Sequence, residues 1–237
     1  MERRQAFIRG LKDGIPICLG YISVSFTFGM KGTECGLPPW LVVLISMTNL
    51  TSAGQFAGLD LIVTGGSLVE IAVTTFVINI RYMLMSLSLA QKASPAMTTP
   101  QRLAVSFGVT DEIFAVGVQQ KGLLTASYLA GLIFAPYWGW ALGTALGATA
   151  TSLLPMAVRS ALGIAIYGMF IAIIIPPACE AKPITVTIIL AVLLSCGLSW
   201  LPVVSGLSSG WRIILCAVIA SAYAAYRFPV REEAEEQ

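Results

Sequence analysis

The chain has 237 residues, of which 57% are hydrophobic and 11% are charged, and its formal net charge is +2. So few charges cannot cover the surface of a water-soluble domain, in which about a quarter of the residues are charged. The small net charge and the scattered basic residues exclude nucleic-acid binding. The composition instead predicts an all-α, polytopic bundle of transmembrane helices in a lipid bilayer.

Apolar runs between polar, proline or glycine residues predict seven or eight membrane spans, since one span needs about 20 residues. The fourth and eighth runs are short enough for half-helices or tilted helices, and the polar second run leaves open a break in its helix. Together the runs predict one permease domain over residues 1–237. The candidate spans are residues 14–30, 39–63, 67–90, 103–119, 124–148, 156–175, 183–201 and 211–226.

The basic residues predict how the chain is oriented in a cell membrane. Arg3, Arg4 and Arg9 precede the first apolar run, which imitates a signal peptide but lacks an A-x-A-like cleavage site. The first span is therefore expected to be retained with its basic flank in the cytoplasm, and the total count favours two cytoplasmic termini. Eight crossing helices would put Lys92 and Arg102 outside, and one miscounted span would move both inside.

A shift of the chain against itself suggests an internal repeat. It aligns Leu19-Gly20 with Leu162-Gly163, and Ser52 with Ser195. The first and second helices would then correspond to the sixth and seventh in the opposite orientation, as in the inverted repeats of many transporters.

Missing residue types argue against an enzyme and against a metal or cofactor site. The chain contains no histidine, which excludes Ser-His-Asp and Cys-His sites and the HExxH zinc motif. Its five cysteines form no CxxC pair. The sequence also lacks the glycine-rich loops that bind nucleoside phosphates and dinucleotides.

Ionisable residues lie in the middle of the third and fourth runs. Each costs about 2.5–3.5 kcal/mol near the centre of a bilayer, so such residues usually face a bundle interior or a cavity. Arg81 lies too deep to reach either interface, and we expect it to pair with Asp111 or Glu112. An ion pair that only joins two helices is the structural alternative.

Two other runs contain patterns that predict helix packing or unwinding. In the second run, Thr48, Ser52 and Gln55 fall on one helical stripe beside Asn49. The small residues there allow either close packing or an unwound segment lining a cavity. In the fifth run, glycines at four-residue spacing predict a close helix contact, with a possible kink at Pro136.

The strings that contain these polar residues resemble the AzlC family, the YgaZ or LIV-E type of branched-chain amino acid exporter. The resemblance implies a permease that exports leucine, isoleucine, valine and analogues, with methionine as a further candidate. It also implies a small second membrane subunit of the AzlD type. The matching strings are IPICLGYISVSFTFG at 15–29, TSAGQFAG at 51–58, INIRY at 78–82 and TDEIFAV at 110–116.

The chemistry of a free amino acid suggests how these residues would bind it. Arg81 and Asn79 would receive the carboxylate, while Asp111, Glu112 and Gln55 would receive the ammonium group. The two aromatic members of the site would contact the side chain. Without histidine, a coupling proton would have to be carried by Asp111 or Glu112. The predicted site comprises Gln55, Phe56, Asn79, Arg81, Tyr82, Asp111 and Glu112.

Two alternatives to a permease remain open from the sequence. The chain could be a structural membrane subunit whose ion pair only holds helices together, in which case the polar residues should be fully packed. It could also form a channel for small polar solutes, which would conduct without saturation.

Overall fold

The structure, a computed structural model, describes residues 2–151, 155, 157–158, 161, 171, 174–176, 178–200 and 207–228. The named elements in this part of the chain are all α-helices, which confirms the predicted fold class. In chain order they are α1 (Glu2–Glu34), α2 (Pro39–Thr48), α3 (Ala53–Val63), α4 (Leu68–Gln91), α5 (Thr99–Ser106), α6 (Asp111–Gln119), α7 (Ala126–Ala150), α8 (Lys182–Trp200) and α9 (Ser209–Arg227).

Within the described residues, α1, α4, α7 and α8 are long and apolar enough to cross a membrane. The third, fifth, seventh and eighth predicted spans coincide with α4, α7, α8 and α9 to within two residues. The first helix begins at Glu2 rather than Gly14, because its charged N-terminal segment is rich in good helix formers. Three predicted features lie outside the described residues. They are most of the sixth span (156–175), the Leu162-Gly163 half of the predicted repeat and the tail 231–237.

The chain divides into two compact units. The first unit comprises Met1–Leu59 and Ile78–Ile166, and the second comprises Asp60–Val77 and Tyr167–Gln237. Because these limits fall inside α3 and α4, each of those helices contributes residues to both units. A single permease domain over residues 1–237 stays a prediction.

The first unit is built on α1 and α7, which run parallel in close contact. Gly10 of α1 faces Tyr128 near the start of α7, and Gly29 faces Thr144 near its end. A Cβ atom at either glycine would collide with a carbonyl oxygen of α7. The predicted close packing of the fifth span is confirmed, since glycines of α7 face α1 along the same contact. These are Gly131, Gly139, Gly143 and Gly147.

The second predicted span is a helical hairpin rather than one crossing helix. The NLTS segment between α2 and α3 is non-helical, as its turn-forming residues favour, and Ser52 has a φ of +44°. Val42 of α2 and Leu59 of α3 pack with Phe28 in one buried cluster. In a continuous helix those two residues would lie about 25 Å apart. The break that the sequence left open in this run is confirmed.

The fourth predicted span, residues 103–119, is a second hairpin, formed by α5 and α6. Its two ends lie together, because Leu124 after α6 exchanges backbone hydrogen bonds with Lys92 and Ser94 before α5, at 2.7 and 2.8 Å. Its tip reaches the middle of α7, where the ring of Phe107 lies 6.2 Å from that of Tyr137. The run thus contains two short helices, in keeping with the half-helix that the sequence left open here.

Local hydrogen bonds explain why the chain turns back at this tip. Thr110 is the N-cap of α6, and its hydroxyl oxygen accepts a hydrogen bond from the backbone N–H of Ile113 at 3.3 Å. Such a cap starts a new helix instead of continuing the preceding one. At the start of α5, Thr98 and Gln101 form a capping box, followed by a proline in the first turn.

The hairpins enter the first unit from opposite ends. We call the end where α1 and α7 begin the N-terminal face, and the other end the far face. Gly32 near the end of α1 lies against Val42, so the α2–α3 hairpin enters from the far face. Arg9 near the start of α1 donates to the Gln120 side chain at 3.2 Å, so the α5–α6 hairpin enters from the N-terminal face.

The α4 helix runs opposite to α1. Lys92, which directly follows α4, donates to the backbone carbonyl of Gln120 at 2.8 Å, so α4 ends on the N-terminal face. A long helix followed by a hairpin therefore occurs twice in opposite directions, as α1–α2–α3 and α4–α5–α6, an inverted repeat other than the one predicted. Lys92 and Arg102 consequently lie on the same face as Arg9, which is the position that one miscounted span would give them.

In the second unit, α8 packs against α9, and a buried acid anchors the start of α9. Ser208, the N-cap residue of α9, donates its hydroxyl hydrogen bond to the carboxylate of Glu70. Gly210 leaves space for this contact, since a Cβ atom there would lie 2.7 Å from Glu70 Oε1. The positive end of the helix dipole favours a carboxylate at this position.

Thiol labelling can test the two hairpins. Ala96→Cys and Lys121→Cys, placed one at a time in a chain without its five native cysteines, should react with a membrane-impermeant reagent from the same side. Trp40→Cys, at the start of α2, should react from the opposite side. Labelling of Ala96→Cys and Lys121→Cys from opposite sides would show that residues 103–119 cross the membrane.

A glycine substitution can test the contact between α1 and α7. Gly29→Ala should lower thermal stability in detergent, by about 1–3 kcal/mol, because the added methyl group overpacks the helix contact. Gly20→Ala is the matched control on the same helix, since a Cβ atom there meets nothing within 4 Å. Equal melting temperatures for the two variants would contradict the contact.

Candidate functional site

Polar residues of both hairpins meet on α4 in the first unit. The predicted ion pair is confirmed with Asp111 as the partner, since Arg81 Nη2 lies 2.9 Å from Asp111 Oδ2. Arg81 lies on α4, and Asp111 is the first residue of α6. Their side chains are 42% and 37% exposed, so the described residues alone do not pack the pair fully.

A tyrosine connects this ion pair to the tip of the other hairpin. Arg81 Nη2 donates to the Tyr82 hydroxyl at 3.3 Å, and that hydroxyl donates to the carbonyl of Thr51 at 3.5 Å. Thr51 lies in the non-helical segment between α2 and α3. Arg81 and Tyr82 therefore join both tips, and both residues belong to the predicted site.

A second tyrosine, which the sequence analysis did not select, holds the tip of the α5–α6 hairpin. The hydroxyl of Tyr21 on α1 donates to Glu112 Oε2 at 2.5 Å and lies 2.6 Å from Thr110 Oγ1. Its ring packs edge-to-face against Trp140 of α7, with centroids 5.1 Å apart. Tyr21 does lie in the first of the strings that resemble the family, which was the only sequence signal for it.

Unpaired polar atoms lie beside the tip of the α2–α3 hairpin. Among the described residues, Ser52 Oγ and Asn79 Oδ1 are buried without a hydrogen-bond partner. They adjoin Gly54, whose missing side chain leaves room, since a Cβ atom there would lie 2.9 Å from Asn79 Oδ1. Buried polar atoms without partners are costly.

Gln55 belongs to a separate buried network between α2, α3 and α7. Its Nε2 donates to Ser46 Oγ at 3.3 Å, and Ser46 Oγ lies 2.8 Å from Thr144 Oγ1. Gln55 is 1% exposed, and within the described part of the chain its Oε1 has no partner. The expectation that Gln55 needs polar partners is confirmed for its amide nitrogen.

Phe56 contacts residues other than those of the ion pair. Its ring lies edge-to-face against Phe28 of α1, with centroids 5.2 Å apart, and Lys31 Nζ lies 5.7 Å from its centroid. These contacts belong to the far-face end of the first unit. Of the seven predicted site residues, the two tips and α4 bring together Asn79, Arg81, Tyr82, Asp111 and Glu112.

The two hairpins present helix N-termini of different charge. The first turn of α6 contains Asp111 and Glu112, whereas the first turn of α3 contains no acid. A helix N-terminus attracts anions through its free N–H groups and its dipole. The α3 end therefore suits a carboxylate, while the two acids make the α6 end suitable for a cation.

The second unit contains an apolar groove of about 570 Å³ between α8 and α9. Arg212 lines it, and among the described residues its buried Nε has no partner. Ser195 and Ser199 are its other polar residues. None of the described residues that line the groove is an acid.

The chain matches the model of one known protein family. A family model described as AzlC protein matches residues 16–154, which is more than half of the chain. This match spans both hairpins and all the polar residues of the first-unit site. No solved structure matches the chain significantly.

Similar proteins occur in bacteria and archaea. The inner membrane protein YgaZ of Escherichia coli K12 is 29% identical over 76% of this chain and 77% of its own length. An uncharacterized membrane protein of Archaeoglobus fulgidus is 33% identical over 74% of this chain and 78% of its own length. A membrane protein of Helicobacter pylori J99 is 25% identical over 60% of this chain.

Proposed function

The chain belongs to the AzlC family, and on that premise we propose that it is a membrane permease that exports branched-chain amino acids from the cytoplasm. Leucine, isoleucine, valine and close analogues would be the substrates, with methionine as a further candidate. A small second membrane subunit of the AzlD type would be the partner. The role is one of transport rather than catalysis.

The observation that carries this proposal is the opposite charge preference of the two hairpin tips. An amino acid zwitterion contains one carboxylate and one ammonium group a few bonds apart. Its carboxylate fits the acid-free start of α3 beside the Ser52 hydroxyl, which can donate to it, and its ammonium group fits Asp111 and Glu112 at the start of α6. Half-helices that point their N-termini at a substrate near mid-membrane are a recurrent design in transporters.

Arg81 would exchange partners when the substrate binds. In the free protein it pairs with Asp111 at 2.9 Å. The substrate carboxylate would replace Asp111 on Arg81, and the released Asp111 would pair with the substrate ammonium group. The exchange replaces one ion pair by two, so neither Arg81, Asp111 nor the zwitterion would be left with an unpaired charge inside the membrane. Tyr82 would contact the substrate beside Arg81.

The distribution of basic residues supports export from a cytoplasmic N-terminal face. In the first unit this face carries most of the described lysines and arginines, and the far face carries Lys31. Cytoplasmic ends of membrane helices are enriched in such residues. The basic residues of the N-terminal face are Arg3, Arg4, Arg9, Lys12, Lys92, Arg102 and Lys121.

A binding measurement tests the site. In purified protein, Arg81→Ala and Asp111→Asn should each weaken leucine binding at least about tenfold, equal to about 1.4 kcal/mol, because each removes one charge partner of the zwitterion. Arg102→Gln on the N-terminal face is the control and should bind leucine normally. Unchanged leucine affinity in both site variants would remove these residues from the proposed site.

Counterflow of labelled leucine in proteoliposomes tests transport and coupling. Uptake should saturate as the leucine concentration rises, whereas flux through a channel would not saturate. It should be measured with this chain alone and with the small subunit. An imposed pH gradient should drive accumulation if Asp111 or Glu112 carries a proton. Glu112→Gln and Asp111→Asn should then separate the two candidates. Transport that is indifferent to the gradient would refute proton coupling.

A further inference from the structure

The two halves of the inverted repeat carry equivalent tyrosines. In α1, Tyr21 is followed four residues later by Ser25, and in α4, Tyr82 is followed four residues later by Ser86. Each tyrosine lies on the long helix of its half. Because the halves run in opposite directions, the two hydroxyl groups meet opposite hairpins.

The contacts of these tyrosines are reciprocal. Tyr21, from the first half, bonds Glu112 and lies beside Thr110 at the tip of the second hairpin. Tyr82, from the second half, bonds the carbonyl of Thr51 at the tip of the first hairpin. Each hairpin tip is thus held by the long helix of the other half.

We propose that Tyr21 and Tyr82 are paired positioning residues, and that release of either one opens the site toward the face from which the released hairpin enters. Loss of the Tyr21 contact would free the α5–α6 tip and open the N-terminal face. Loss of the Tyr82 contact would free the α2–α3 tip and open the far face. This inference rests on the proposed transport site.

Helix length explains why the loss of one tip contact has this effect. The four hairpin helices are 8–11 residues long, and isolated helices shorter than about 12 residues are marginal in water. Their tips therefore depend on tertiary contacts. At the base of the second hairpin, Lys92 donates to two carbonyls at the end of α6, those of Val118 and Gln120, so this base stays fixed when its tip is released.

The same contacts connect substrate binding to opening. An ammonium group on Glu112 competes with the Tyr21 hydroxyl for that carboxylate. A carboxylate on Arg81 competes with the Tyr82 hydroxyl for the guanidinium group, whereas the bond from Tyr82 to the Thr51 carbonyl has no such competitor. A zwitterion would therefore loosen the Tyr21 contact, and a return to the empty state would restore it.

A thiol reporter between the tips tests the proposal. Leu50 is 5% exposed and packs with Tyr21 and Trp140, so Leu50→Cys in a chain without native cysteines reports access to the site. In oriented vesicles, Tyr21→Phe should increase labelling by an impermeant reagent several-fold from the N-terminal face. Tyr82→Phe should increase it several-fold from the far face.

One tyrosine serves as a matched control. Tyr128→Phe removes a 2.8 Å hydrogen bond to the carboxylate of Asp13, away from both hairpin tips. It should not shift labelling toward either face. Glu112→Ala removes the partner of Tyr21 and should reproduce the labelling of Tyr21→Phe. The test therefore stays decisive even if Tyr21→Phe does not fold.

The outcomes are distinct from those of the transport assay, because labelling needs no amino acid. Face-specific labelling with no leucine counterflow would retain the reciprocal contacts and reject the proposed substrate. Counterflow with labelling that is equal in the two variants, or unchanged in both, would retain the substrate and overturn the pairing.

Discussion

Non-helical backbone in the middle of a membrane bundle must find hydrogen-bond partners inside the protein, and this requirement organises the first unit. Both hairpin tips end near the middle of α7, where water is scarce. Tyrosine hydroxyls supply partners to the first tip, from Tyr82 to the carbonyl of Thr51 and from Tyr137 to that of Met47. At the second tip, Thr110 caps α6 and is itself contacted by Tyr21.

The parallel contact of α1 and α7 provides the rigid part of this arrangement. Glycines on both helices let the backbones approach until no side chain separates them. Without a hydrophobic driving force between helices in lipid, such close van der Waals contact is a main source of association. The same helix pair presents Tyr21 and Trp140 to the tips, so the packing that stabilises the unit also positions the residues that contact the site.

Hydropathy cannot distinguish a crossing helix from a hairpin that returns to its own face. Residues 39–63 and 103–119 each have the length and apolar character of one span, yet each makes two short helices. The local signals were present, in the turn-forming NLTS segment and in Thr110 before two acids. The positions of Lys92 and Arg102 were a further signal. These two residues lie on the same face as the other basic residues only when the fourth run does not cross the membrane.

The sequence was sufficient to predict the all-helical membrane fold and the pairing of Arg81 with a nearby carboxylate. It also indicated the break in the second run and the ends of α4, α7, α8 and α9. Composition and the cost of a buried charge are sufficient for those conclusions. Only the tertiary structure decided that Asp111 rather than Glu112 pairs with Arg81, that Glu112 bonds Tyr21, and that Phe56 contacts α1. These side-chain contacts depend on which helices meet and on the direction in which each helix runs. Both depend on the turns between helices, and the sequence of a turn does not indicate which distant residues it brings together.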